Sequence, residues 1–304
     1  MTSRRGEDAL TAKIAAAARP GKGVRVGIGD DAAVIDLPRG RYVVTTDTLV
    51  ESVDFLRGEG PFWIGRRAAA ANLSDLAAMG ASPLGYLLTL GLPPGNGARF
   101  AWRIVEGVIS KMSPYRAALW GGDLSRSSST FVTICLFGRS TRPVSRAGAR
   151  PGDRIFLTGA PGAAAAGLAV RKRRVGKPPS RSDRAYIDPE PRVAFAGELA
   201  RRRWATAMID ISDGLARDAH RLARASKVRL ALAEEAADAL RDSADDFELF
   251  FTASPTCSAA ILALGRRLRT PVAEIGRVAR GRGVTLGAGR GRAVADRGYD
   301  HLAS

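Results

Sequence analysis

The chain alternates short β-branched apolar runs with longer Ala- and Leu-rich segments. Residues 24–28, 32–37 and 42–46 are apolar stretches of strand length broken by Gly and Pro, and they predict three short strands. An Ala-rich segment ahead of them predicts a short amino-terminal helix. Over residues 62–79, Ile64, Ala68, Ala71, Leu73, Leu76 and Met79 supply the apolar side of a predicted helix, with Gly80 at its stop. Residues 83–92 read as a buried strand, 98–112 as a second helix, and 117–120 and 131–138 as two further strands.

Turn-rich residues then intervene: Ser140-Thr141-Arg142-Pro143 and Arg150-Pro151-Gly152. They put a boundary near 140–152, and the expected division is 1–142 and 143–304. The second part opens with a strand at 154–158 and a helix starting at 162–170. Residues 171–190, basic at first and then rich in Gly, Pro and Ser, read as a long exposed loop. Helices are expected at 192–203, 214–226 and 256–268, and strands at 206–210, 228–232, 247–252 and 272–278. Strands and helices alternating in both parts predict a two-domain α/β (α+β) protein.

Composition narrows the class. The chain has 304 residues, 45% hydrophobic and 25% charged, which excludes disorder and disulfide scaffolds. No apolar run reaches the roughly 18–20 residues of a membrane span. The amino terminus lacks the apolar core of a signal peptide, so a cytoplasmic location is expected. Cys135 and Cys257 sit in apolar contexts without a C-x-x-C pair and read as small buried hydrophobes. The net charge is +17, and it divides almost evenly, +8 over residues 1–150 and +9 over 151–304. An anionic partner fits such a charge. The best nucleic-acid candidates, residues 171–174 and 281–292, lack base-stacking aromatics, so nucleic acid is the remote reading and a phosphorylated metabolite the nearer one.

Against this basic background stand five acidic motifs: Gly27-Ile28-Gly29-Asp30-Asp31, Thr45-Thr46-Asp47-Thr48, Asn72-Leu73-Ser74-Asp75, Gly121-Gly122-Asp123 and Asp210-Ile211-Ser212-Asp213-Gly214. Each sets Asp beside Gly, Ser or Thr, mostly at an expected strand end. Gathered carboxylates repel one another, and a hard cation such as Mg²⁺ relieves the repulsion while bridging to phosphates. Glycines let backbone N–H groups approach phosphate oxygens. The set suits a nucleoside triphosphate held through metal ions. Single Asp-Gly or Asp-Asp pairs also serve as turns and helix caps. No G-x-x-x-x-G-K-[ST] loop occurs, and two His do not furnish a zinc cluster or a histidine triad.

The ordered set resembles the thiamine-monophosphate kinase family of the aminoimidazole-ribonucleotide-synthetase superfamily. The segments GIGDDAAVI, TTDTLVE, NLSDLAAMGASP, GGD, SRAGARPGD, IDISDGLARD, DDFELFFT and GYDHL carry the resemblance, from Gly27 to Leu302. It implies a two-domain fold of that superfamily, with the amino-terminal sheet pairing across a homodimer and ATP near the interface. The first domain is then the ATP-, Mg²⁺- and dimer-forming one. Matching positions imply that Asp30, Thr45, Thr46, Asp47, Asp75, Asp123, Asp210 and Asp213 bind Mg²⁺. They imply that Tyr115, Gly122, Asp123, Arg146 and Ser212 contact the nucleotide, and that Asp75, Asp123, Arg146 and Asp213 serve the transfer step. Arg146 lies in a stretch without an acidic residue between Asp123 and Asp153, so its guanidinium is expected to meet triphosphate oxygens as a fork.

The departures lie on the acceptor side. The family's E-G-V-H-F is Glu51-Ser52-Val53-Asp54-Phe55, its G-G-E-D-Y-E-L is Ser243-Ala244-Asp245-Asp246-Phe247-Glu248-Leu249, and its G-G-D-T-T is Gly121-Gly122-Asp123-Leu124-Ser125. Asp54, Asp245 and Tyr299 are the expected acceptor contacts. The expected activity is ATP- and Mg²⁺-dependent phosphorylation of thiamine monophosphate. The alternative is a kinase or synthetase of the same superfamily acting on another small, amine-bearing or phosphorylated metabolite.

Overall fold

The computed structural model describes residues 24–27, 29–37, 40–287 and 291–299. The expected amino-terminal helix, Ile28 and the end of the GYDHL segment lie outside them.

Six strands form the first sheet: β1 (Val24–Val26), β2 (Ala33–Leu37), β3 (Gly40–Val50), β4 (Ser82–Leu92), β5 (Ala118–Arg126) and β6 (Phe131–Arg139), in the order β1-β2-β3-β6-β4-β5. The second sheet holds β7 (Arg154–Thr158), β8 (Ala205–Asp210), β9 (Arg229–Leu232), β10 (Leu249–Ala253), β11 (Val272–Ala279), β12 (Gly283–Leu286) and β13 (Arg292–Ala293), in the order β13-β12-β9-β11-β7-β10-β8. Among the described strands, parallel pairing occurs only at β4–β5 and β9–β12. The helices are α1 (Pro61–Ala78), α2 (Ala98–Met112), α3 (Ala163–Arg171), α4 (Arg184–Ile187), α5 (Val193–Arg202), α6 (Leu215–Ser226), α7 (Ala237–Asp242) and α8 (Ser258–Arg267).

Alternation in the second sheet builds two cores. Ile155, Leu157, Ala207, Ile209 and Phe250 face α6. Phe156, Met208 and Phe251 face the other way, and Phe156 stacks on Phe251 with ring centroids 5.2 Å apart. That second face shares one continuous core with Val43, Leu88 and Ile134 of the first sheet and Leu73 and Leu76 of α1. α1 is therefore wedged between the sheets, touching β3 and β6 on one side and β8 and α5 on the other. The sequence predicts one apolar side for it. Instead Ile64, Ala68, Ala69, Ala70, Ala71 and Leu73 are all buried, together with Arg67, Asn72 and Ser74, because both sides meet protein.

Five further expectations change. β3 runs eleven residues, since Thr46 and Thr48 occupy its exposed positions while Thr45 and Leu49 point inward. β5 continues through Gly121-Gly122-Asp123, so Asp123 lies inside a strand and not at a loop tip. The supposed exposed loop at 171–190 is anchored: Arg171 is fully buried, forked onto Glu59 and paired with Asp183 at 3.2 Å. Its partner Glu59 is remote in sequence, which a local reading misses. Cys135 and Cys257 are half-buried free thiols, and Cys135 takes an outer position between buried Ile134 and Leu136. Part of the 281–292 stretch is β12, with Val284 and Leu286 buried.

α1 and α2 touch backbone to backbone. A Cβ on Gly65 would lie 2.0 Å from the Ile104 carbonyl oxygen, and one on Gly107 would lie 2.0 Å from that of Phe62. Gly65→Ala or Gly107→Ala is expected to cost about 1–3 kcal/mol through overpacking, even though Ala is the better helix former by about 1 kcal/mol. Urea unfolding checks this; an unchanged midpoint would show that the helices separate freely.

Candidate active site

Three segments meet where the sheets join. Asp31 comes from the turn between β1 and β2, Asp75 from α1 and Asp210 from the last position of β8. A carboxylate oxygen of each lies within 4.8 Å of the others. Thr45 Oγ1 donates to Asp75 Oδ2 at 2.5 Å, and Ser74 Oγ donates to Asp210 Oδ2 at 2.6 Å. Burial holds the Asp75 carboxyl well above its ordinary pKa, with the charge of Asp47 adding to it. Burial does the same to Asp210, with the charges of Asp31 and Asp75 adding. An all-oxygen set of three carboxylates flanked by hydroxyls has the chemistry of a hard divalent-cation site.

Two arginines border the triad. Burial opposes ionisation of Asp31, but Arg146 outweighs it and holds that carboxyl below its ordinary value. The contact is a fork, Nε to Oδ2 and Nη2 to Oδ1, both 2.9 Å. Arg146 Nη1 donates to the Gly29 carbonyl, and its backbone N–H donates to Asp30 Oδ2 at 3.1 Å. Asp30 is pushed up to about 6 by burial and then by Asp31. Arg221 Nη1 lies 2.5 Å from Asp213 Oδ2 and 3.1 Å from Asp218 Oδ1. Asp218, pushed up to about 7 by burial, accepts the backbone N–H groups of Ser212 and Asp213 and so fixes the 210–214 turn.

The other expected site residues divide into three groups. Asp47 lies on the inner side of β3 with Thr45, close enough for its charge to act on Asp75. Thr46 takes the exposed side of that strand. Asp123 shares this outer face through the register Thr48–Thr133–Thr89–Asp123 across β3, β6, β4 and β5. Three strand spacings, about 14 Å, separate Asp123 from β3. One chain therefore does not bring Asp123 to the triad. Gly122 has a packing reason, since a Cβ there would lie 1.8 Å from the Leu88 carbonyl oxygen. Tyr115 donates to Glu190 Oε1 at 3.1 Å and is pushed up by burial and by Glu190. Glu190 lines a cleft of about 540 Å³ with Arg66, Asp188, Arg192 and Glu248, and none of the triad lines it.

Of the three expected acceptor contacts, Asp54 accepts the Val50 N–H on Oδ2 at 2.8 Å. The Asp245 N–H donates to the Ser212 carbonyl, and the Tyr299 N–H donates to the Asp213 carbonyl. Asp245 and Tyr299 thus flank the 210–214 turn.

Residues 29–140 match the family model for AIR synthase related protein, N-terminal domain, and residues 150–288 match the model for its C-terminal domain. Thiamine-monophosphate kinase of Rhodopirellula baltica is 35% identical over 283 residues, covering 84% of this chain and 84% of its own. The chain belongs to the thiamine-monophosphate kinase family. Two solved structures extend the likeness within that family. AaThiL complexed with AMPPCP and TMP superposes with a TM-score of 0.83 at 27% identity, covering 99% of this chain and 100% of that one. Thiamine-monophosphate kinase from Stenotrophomonas maltophilia K279a gives 0.77 at 30%, covering 94% and 97%.

Several residues of this family member's site escape a linear reading. Asp31 is the second half of a doublet whose first half looks equivalent. Ser74 looks like ordinary helix. Asp218 had a signal: an acid in the first turn of α6, where backbone N–H groups are unpaired. Arg221 had none.

A pH dependence follows for metal-free protein. Asp75 and Asp210 stand above the ordinary aspartate value of 3.8 in the folded chain. The folded state therefore keeps protons that the unfolded chain releases, and stability falls as pH rises above that value. Asp210→Asn removes one of the buried charges. It is expected to raise the melting temperature in chelator at pH 8 and to change it little at pH 5. A drop at pH 8 would contradict the repulsion.

Proposed function

We propose that the chain transfers the γ-phosphoryl group of ATP to thiamine monophosphate, giving thiamine diphosphate. The observation that carries this reading is the convergence of Asp31, Asp75 and Asp210 from three separate segments, beside Arg146, in a member of this kinase family. Asp31, Asp75 and Asp210 hold Mg²⁺, with Asp30, Asp47 and Asp213 beside them. Bound Mg²⁺ supplies charge neutralisation where two phosphate anions meet.

The acceptor phosphate is ionised near neutral pH, so the chain needs no proton-abstracting residue. Arg146 keeps N–H groups on Nη1 and Nη2 beyond those given to Asp31 and Gly29, and these reach triphosphate oxygens. The 212–213 N–H groups stay on Asp218, so the turn carrying Asp213 is rigid before nucleotide arrives. Asp54 and Asp245 are anions on the acceptor side. Thiamine carries a cationic thiazolium ring and an aminopyrimidine, which suit them better than its phosphate does.

We assign Asp123 to the neighbouring site of a homodimer. β5 is an exposed edge strand over all nine residues, with Leu119, Trp120 and Leu124 open. Such an edge is a liability unless covered. A second copy on this face covers it and carries Asp123, Thr46 and Gly122 to the shared boundary. In this reading residues 1–142 bind nucleotide and form the dimer, and residues 143–304 complete the site. No helix among the described residues is long and apolar enough to cross a membrane; we place the reaction in the cytoplasm. Asp54, where the family has His, favours one second reading, an ATP-dependent enzyme of the same superfamily with another amine-bearing acceptor.

Purified protein given ATP, Mg²⁺ and thiamine monophosphate is expected to form thiamine diphosphate. Nucleotide binding without product would favour the second reading. Asp75→Asn and Asp123→Asn are each expected to abolish turnover with the fold intact. Mixed after subunit exchange, the two inactive variants are expected to regain about a quarter of wild-type activity, because hybrid dimers contain one intact site. No recovery, with hybrids demonstrated, would place Asp123 in its own chain's site. Mg²⁺ is expected to raise the melting temperature more at pH 8 than at pH 5.5, since it competes with protons for Asp75 and Asp210.

A further inference from the structure

The acceptor side is split between two distant segments. Asp54 sits in the turn between β3 and α1, and Asp245 sits in the loop leading to β10. One side chain touches both. Arg67, on α1, is 2% exposed. Its Nε donates to the Asp54 carbonyl at 3.3 Å, and its Nη2 donates to Asp245 Oδ2 at 2.8 Å. Nη1 donates to the Tyr186 carbonyl, and the guanidinium lies over the Tyr186 ring, 4.1 Å from its centroid. Three segments and an aromatic face thus converge on one planar cation.

Both ends of this arrangement carry signs of constraint. Asp245 holds φ at +55° and Phe247 at +51°, left-handed conformations that cost energy in residues other than glycine. They are retained where the Asp245 and Phe247 N–H groups donate to the Ser212 and Ile211 carbonyls and Arg67 takes the Asp245 carboxylate. The Asp54 turn is held from its other side as well, because Glu59, at the end of the same connection, is forked by buried Arg171. Asp245 itself remains about half exposed, 47%, so its carboxylate is held by Arg67 and still open to a ligand.

We propose that Arg67 is the positioning residue of the acceptor side: it sets the separation of Asp54 and Asp245, and so acceptor recognition, without touching the acceptor. This rests on the kinase reading above. The chemistry explains the residue type. A guanidinium donates in three directions within one plane and stacks on Tyr186 at the same time, whereas a lysine ammonium is a compact point charge. The geometry also separates its influence from the nucleotide end. Asp75 lies eight residues further along α1, about 12 Å on the helix axis. Loss of Arg67 therefore disturbs acceptor binding and leaves the carboxylate triad in place.

The test compares Arg67→Gln, Arg67→Lys and Asp245→Asn with wild type in steady-state kinetics with thiamine monophosphate and ATP. In Arg67→Gln the KM for thiamine monophosphate is expected to rise about tenfold to hundredfold, the scale of a misplacement near 1 Å. The KM for ATP is expected to stay within about twofold, the mark of binding lost on one side only. Arg67→Lys is expected to fall between, and Arg67→Gln combined with Asp245→Asn to be no worse than the weaker single variant. A parallel rise in both KM values, or a lower kcat at unchanged acceptor KM, would overturn the proposal and leave Arg67 a structural residue. Should Arg67→Gln not fold, Arg67→Lys and Asp245→Asn carry the same comparison. Should wild type form no thiamine diphosphate, the kinase reading fails, and hydrogen exchange then reads the clamp directly. Protection lost together at residues 50–57 and 243–248, with 205–210 unchanged, supports it; uniform loss overturns it.

Discussion

A helix without a solvent face governs this structure. α1 lies between two sheets, so its polar side chains turn to protein for partners, and Asn72 Oδ1 is the exception that finds none. Ser74 is answered by Asp210, Asp75 by Thr45, and Arg67 by Asp54, Tyr186 and Asp245. These partners lie on both sides of the helix and in both halves of the chain. Gly65 against Ile104 and Gly107 against Phe62 let α2 seat against α1 at backbone distance. With α1 fixed by packing, the positions of Arg67 and Asp75 are fixed with it.

The same burial explains how acidic groups persist as an anionic site in a chain of net charge +17. Arg146 neutralises Asp31, and Arg221 neutralises Asp213 and Asp218. Asp75 and Asp210 receive hydroxyl hydrogen bonds instead, from Thr45 and Ser74. A hydroxyl orients a carboxylate but does not cancel its charge. Had Lys or Arg stood in those places, the carboxylates would be satisfied and indifferent to cations. The neutral donors leave a directed demand for positive charge at one point, and the excess of arginine elsewhere on the chain does not reach it.

Much of the site was legible in the sequence because its motifs are compact: Asp75 ends Asn72-Leu73-Ser74-Asp75 within an Ala-rich apolar run, and Asp210 opens Asp210-Ile211-Ser212-Asp213-Gly214 at a strand end. What was not legible depends on facing. In Asp30-Asp31 and Thr45-Thr46 two like residues are adjacent, and only the strand's pleat or the turn decides which enters. Thr45 and Asp31 enter, while Thr46 faces out. Asp123 belongs to the same motif set, yet sheet register sends it to the opposite face, and Tyr115 goes to Glu190. The fold classes of both halves follow from periodicity, whereas the anchoring of 171–190 does not. There Arg171 looks like one charge in a solvated basic run until Glu59 appears opposite it.

The continuous core also limits how such a site admits ligands. Separating the two sheets like a hinge would expose Leu73, Leu76, Phe195, Leu199 and Phe251 at once, a burial of about 1.5–3 kcal/mol for each large side chain. Any change a ligand makes therefore falls to surface segments outside this core, such as the 294–299 stretch, where Tyr299 is exposed. That stretch is tied to the 210–214 turn through the Tyr299 N–H on the Asp213 carbonyl, and the same turn takes the Asp245 N–H on Ser212. Such contacts are worth about 0.5–1.5 kcal/mol apiece and can be exchanged with a ligand that offers equivalent groups. Asp75 and Asp210 sit on α1 and at the end of β8, within the packed framework, so a ligand changes the surface around them and not their positions.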